Sequence, residues 1–117
     1  MNATDKELLE MAARAAGLSV TFCGEYFRHK SQGYIGQPWD PLVDDGDALR
    51  LAVSLDIHVK RYAGATTAQV LCSNESTTEH DHWARNGNDP MMSTRRAIVI
   101  CAAEIGKSMT KESDHEH

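Results

Sequence analysis

Four groups of residues have types and spacings that can do chemistry. The densest is acidic: Asp40, Asp44, Asp45 and Asp47. Hard divalent cations take several carboxylate oxygens, so such a cluster can hold one. The spacing is not that of an EF-hand loop, which needs a longer Asp/Asn series closed by Glu. Aspartates ahead of an apolar run also cap a helix and complement its dipole, and that reading needs no ion. Asp44 and Asp45 can equally meet a partner protein. The second group is Cys72, His80 and His82, with His29 or Cys101 as a possible fourth member. Cysteine and histidine are tetrahedral zinc ligands. Here they lack paired spacing, and histidines in a polar stretch are ordinarily solvent-exposed. A Cys–His pair also permits a nucleophilic thiol, but no local signature accompanies it. Cys23 and Cys101 alternate or repeat with apolar neighbours, as buried free thiols do.

The third group is basic. Arg95 and Arg96 follow Asp89-Pro90 in the first turns of a helix. Guanidinium groups near a helix N-terminus can bind phosphate or another anion, and Arg28, Lys60 and Arg61 can converge with them. Alternatively they are solvated, or pair with the surplus carboxylates. The fourth group is aromatic: Trp39, beside Tyr34 and Pro38, and Trp83. Loop aromatics stack on flat ligands or anchor interfaces, and a loop tryptophan also serves as a lid over its own core.

These groups must be positioned by regular elements, and the pattern for those is clear in places. Thr4 and Glu7 have capping-box spacing, and Leu8, Met11, Ala12 and Ala15 recur at helical period, widened by Leu9 and Ala16. Gly17 followed by Leu18 is a helix-stop signal, so a helix is expected over 5–16. The period then alternates: Leu18, Val20 and Phe22, then Gly24 and the run Glu25–His29, read as two short strands around a turn. Residues 30–38 read as a loop from their Gly, Pro and polar content. Pro41 bars a helix through it, and a helix is expected over 44–55, with Leu49, Ala52 and Val53 on one face and Leu51 and Leu55 extending it inward. Residues 57–62 and 67–72 read as a second hairpin, and 73–90 as a long polar excursion. Asp89-Pro90 opens the last helix. Its stripe runs Met91, Ala97, Ile98, Cys101, Ala102 and Ile105, and Gly106 is expected to end it. One domain over 1–107 and a disordered charged tail over 108–117 follow. The fold class expected is α+β: a three-layer α/β/α sandwich of about four mainly antiparallel strands, in two hairpins, with three helices.

Composition narrows the partners. Twelve Lys and Arg face seventeen Asp and Glu among 117 residues, a formal net charge of −5. An acidic body repels the phosphate backbone, so nucleic acid is a disfavoured partner. No run reaches the roughly 20 apolar residues that cross a bilayer, and the N-terminus lacks signal-peptide order. Three widely spaced cysteines fit reduced thiols in the cytoplasm.

The run Trp39-Asp40-Pro41-Leu42, then Asp44-Asp45-Gly46-Asp47-Ala48-Leu49-Arg50-Leu51-Ala52-Val53, resembles the central signature of small phage and prophage proteins. That family is the phage ABA-sandwich domain, similar to NinX-type phage proteins. Thr94-Arg95-Arg96-Ala97-Ile98-Val99 and Ala102-Ala103-Glu104-Ile105-Gly106 resemble its closing helix, and the likeness spans about residues 5–107. Residues 73–90 are longer and richer in histidine than that pattern. The resemblance implies an α/β/α sandwich and a phage or prophage origin, and no activity; with the cytoplasmic reading above, the host cytoplasm is the expected location, and no cofactor is expected. Two functions are therefore expected. The first is binding of a host protein through the acidic surface, with Asp44 and Asp45, and the 73–90 loop, with Trp83. The alternative is binding or sequestration of a nucleotide or other small anion by Arg95, Arg96, Trp39 and Tyr34. An enzyme ranks behind both, since no two groups have acid–base or nucleophilic spacing.

Overall fold

The computed structural model describes residues 3–62, 65–70, 82–83 and 90–115, with side chains for 3–59 and 91–109. Cys72 and His80 lie outside the described residues. The elements are α1 (Ala3–Ala16), β1 (Val20–Phe22), β2 (Phe27–Ser31), β3 (Tyr34–Trp39), α2 (Asp45–Ser54), β4 (Ile57–Tyr62), β5 (Ala65–Val70), β6 (His82–Trp83) and α3 (Pro90–His115). The class is α+β, as expected.

The first helix ends as its sequence dictates. Gly17 takes φ +69°, its N–H donates to the Arg14 carbonyl at 3.2 Å, and the Leu18 N–H donates to the Ala13 carbonyl at 2.9 Å. That pair of bonds is a Schellman stop, which satisfies carbonyls the helix would leave bare. The helix opens at Ala3, so Thr4 lies inside its first turn rather than at its cap.

The strands correct the expected count. Residues 30–38 are not a loop: Gln32 and Gly33, at φ +47° and +80°, make a two-residue turn joining β2 to β3. Positive φ at both central positions matches the strand twist, and Gly33 meets that demand without strain. Six described strands form two antiparallel three-stranded sheets, ordered β1-β2-β3 and β4-β5-β6. The expected single set of two hairpins divides because β3 pairs with the open side of β2, and His82–Trp83 pairs with β5 inside the supposed excursion.

The core lies where α1, α2 and the sheets meet α3, which packs along α1, against α2 and against all three strands of the second sheet. Leu9, Ala12 and Ala13 of α1 face Ala97, Ile98, Val99, Cys101 and Ala102 of α3, and Phe27, Trp39, Ala48, Leu51 and Ile57 complete it. Phe22 meets Phe27 edge-on at 5.1 Å.

The last helix is longer than expected. Gly106 lies within α3, which continues to His115, so residues 108–115 are helical rather than a disordered tail. Lys107 to His115 contain no Gly or Pro to stop a helix. Gly106 serves close packing instead: a Cβ there would fall on the carbonyl oxygen of Met11 in α1 and 2.8 Å from its carbonyl carbon. Cys101 is buried as expected, whereas Cys23 is exposed beyond the end of β1.

Candidate functional site

Among the described residues, polar side chains and exposed apolar ones come together where the β2–β3 hairpin meets the start of α2. Its framework is the turn 40–44. The Asp40 carbonyl accepts the Val43 N–H at 3.1 Å and the Asp44 N–H at 2.8 Å, while the Asp40 Oδ1 accepts the Leu42 N–H at 3.1 Å. Pro41 is buried, Leu42 packs on the core, and Val43 is turned outward.

Asp44 is the N-cap of α2: in extended conformation, its Oδ2 accepts the Asp47 N–H at 2.8 Å. Asp47 is buried, only 7% exposed, and fully engaged. Its Oδ2 accepts the Asp40 N–H at 2.9 Å and its Oδ1 accepts an Arg50 N–H at 2.7 Å. Burial disfavours charge on Asp40 and raises its pKa above the ordinary carboxylate value; the Leu42 N–H opposes this, and the charges of Asp47, Asp5 and Asp44 reinforce it. The aspartates thus build the turn and start the helix. Among the described residues, no group of three or more His, Cys, Asp or Glu side chains is arranged to hold a metal ion.

Between hairpin and turn lies an open depression of about 810 Å³. Tyr26, His29, Gln37 and Pro38 line its hairpin side, and Asp40, Val43, Asp44, Asp47 and Arg50 the other. Tyr26 is held in place by Arg28, whose guanidinium donates to the Tyr26 Oη at 2.9 Å and to the Gly36 carbonyl at 3.1 Å, 5.3 Å from the ring centroid. The bond to Tyr26 raises the Arg28 pKa. A second depression, about 520 Å³, lies between α1 and the first sheet, where the Lys6 ammonium sits 4.7 Å from the Phe22 ring centroid and 3.9 Å from Glu10.

The structure redistributes the expected site residues. Arg95 donates to the Leu42 carbonyl at 3.0 Å and to Asp45 at 2.6 Å, and Arg96 to Asp5 at 3.2 Å. Both arginines therefore brace α3, one against the turn before α2 and one against α1. Arg95 and Asp45, assigned to different surfaces on sequence grounds, meet each other. Trp39 is 2% exposed, within the core, and so cannot stack on a surface ligand. Tyr34 is 73% exposed beside the hairpin turn, next to exposed Ile35. His82 and Trp83 are placed as strand β6, their side chains outside the described set.

Sequence reading missed the outward apolar residues. Leu49 and Val53 were assigned to the inward face of α2, but they are 64% and 68% exposed, and Val43 is 71% exposed. Ala48, Leu51 and Ala52 turn inward instead. The available signal was excess: apolar residues at 48, 49, 51, 52, 53 and 55 are more than one helix face can bury.

Comparison with protein-family models, with curated proteins and with solved structures found no match.

Proposed function

We propose that this chain is a phage or prophage accessory protein that binds a host-cell protein, such as a defence or regulatory factor it antagonises, in the host cytoplasm. One observation carries the binding reading. Tyr34 and Ile35 on β3, Val43 in the turn before α2, and Leu49 and Val53 on α2 are all large, apolar and half-exposed or more, and Val43 lines a depression whose wall includes Asp40, Asp44 and Asp47. Clustered apolar exposure with a polar rim is the usual character of protein-interaction surfaces. The phage origin is supported by the Trp39–Leu42 and Asp44–Val53 signature. No helix among the described residues is long and apolar enough to cross a membrane. A small anion would have to displace Asp45 from Arg95 or Asp5 from Arg96, so the geometry favours the protein partner.

The test is crosslinked affinity capture of the tagged full chain from bacterial cells, beside the variant Tyr34→Ser/Ile35→Ser/Val43→Ser. The reading expects a discrete partner recovered by the wild type and lost by the variant. No enrichment over a tag-only control, or equal recovery by both, would contradict it.

A further inference from the structure

The ten residues of α2 carry more apolar surface than the fold uses. Ala48, Leu51 and Ala52 are buried, while Leu49 and Val53, four residues apart, lie side by side on the opposite face. Among the described residues, nothing in the fold asks for them. An exposed valine lowers helix propensity and gains no packing in return.

The charges around this ridge have one sign at both ends. Asp45 lies one turn before Leu49, and Asp56 follows Val53 in the turn that ends the helix, where it is exposed at φ +54°. Asp45 bonds Arg95 yet stays more than half exposed. Across residues 40–56 there are five aspartates and a single cation, Arg50. The Arg50 guanidinium is already held by Asp47 at 2.7 Å, with Asp44 at 3.9 Å.

We infer that this outward face of α2 docks an amphipathic helix of a partner protein, with two apolar residues one turn apart and a lysine or arginine at each end. The inference rests on the protein-binding reading above and names the partner's chemistry. Helix ridges spaced at four residues interdigitate with the same spacing on a facing helix, and the flanking cations meet Asp45 and Asp56. A second copy of this chain fits poorly, because aspartates would face aspartates. Nucleic acid is repelled by the same charges.

The probe is a labelled synthetic helical peptide of roughly 16 residues, with leucines at i and i+4 and lysines at both ends. Its counterpart replaces every lysine with glutamate. Both are titrated against the full chain by fluorescence anisotropy. The lysine peptide should bind saturably, with the glutamate peptide at least about tenfold weaker. Leu49→Ser/Val53→Ser leaves the charge untouched and should weaken the lysine peptide by roughly tenfold or more. An unchanged melting midpoint certifies its fold, and Val53→Lys provides an independent single variant with the same expected loss. Absence of saturable binding by the wild type would overturn the inference. So would equal affinity for the two peptides, or undiminished binding by the variants, which would reveal diffuse attraction to an acidic protein. Capture of a cellular partner that survives Leu49→Ser/Val53→Ser would overturn this face while sparing the protein-binding reading. Failure of capture by the wild type would end that reading itself.

Discussion

Replacing Gly106 by alanine sets two physical effects of opposite sign against each other. Gly106 is buried within α3, and an alanine Cβ would fall on the carbonyl oxygen of Met11, 2.8 Å from the carbonyl carbon and 3.2 Å from the Cα. All three are main-chain atoms of α1, which cannot rotate away as a side-chain tip can. Ordinary contact then requires α1 and α3 to separate locally by roughly 1.5 Å, which forfeits a good part of the dispersion at that contact. Leu9, Ala12 and Ala13 are packed into the same seam. Overpacking of this kind costs about 1–3 kcal/mol. In the other direction, glycine to alanine within a helix gains about 1 kcal/mol of propensity. Because the obstacle is backbone, the packing cost should reach the upper end of that range, about 3 kcal/mol, leaving Gly106→Ala destabilising by about 2 kcal/mol once the propensity gain is subtracted. For a domain of this size that is roughly 8 °C in melting midpoint. Urea unfolding followed by circular dichroism measures it, with Ser108→Ala, exposed on the same helix, as the propensity control. A Gly106→Ala midpoint equal to or above wild type would refute the close crossing of α1 and α3, and would restore Gly106 to an ordinary helix position.

Three further substitutions probe the turn before α2. Asp44→Ala removes the cap on the Asp47 N–H and should cost about 1 kcal/mol in urea unfolding, most of it recovered by Asp44→Ser. Asp47→Ala strands the Asp40 N–H and leaves the exposed Arg50 guanidinium to water and Asp44, so a loss of about 1–3 kcal/mol is expected, chiefly from the Asp40 N–H; a neutral result would mean the network does not hold the turn. Asp40→Asn keeps an oxygen for the Leu42 N–H but removes a charge that burial disfavours. Since the folded state raises the Asp40 pKa, it binds that proton more tightly than the unfolded chain does. The wild type therefore bears a penalty above the folded pKa, relieved as pH falls through it. Asp40→Asn should be modestly more stable at neutral pH, with the gap closing in acid. A gap that widens in acid would contradict the burial argument.

Much of this fold was legible because its signals are local. Gly17-Leu18 encodes a Schellman stop within six residues, and Asp89-Pro90 marks a helix start without tertiary help. Asp44 as a cap was readable for the same reason. The misreadings share a cause: each residue's role is decided by something distant in sequence. Gly106 looks like a stop until Met11 is placed beside it. Gln32-Gly33 looks like loop until β2 and β3 are seen to pair across it, with the register slipping between Arg28 and Lys30. Leu49 and Val53 follow helical spacing, but spacing alone does not say which face meets the core. The ion pair of Arg95 with Asp45 joins residues fifty apart, so the arginine reads as available until α3 is laid against the turn.

The central claim is that the hairpin and the outer face of α2 form one protein-binding surface. Photo-crosslinking in bacterial cells tests it most directly, with a benzoylphenylalanine placed in turn at Tyr34, Val43, Leu49 and Val53. Leu18, on the other depression, and Lys107, exposed on α3, serve as comparison positions. The account predicts the same discrete adduct from all four surface positions and none from Leu18 or Lys107. Adducts of equal yield at all six positions, or adducts confined to Leu18 and Lys107, would contradict it.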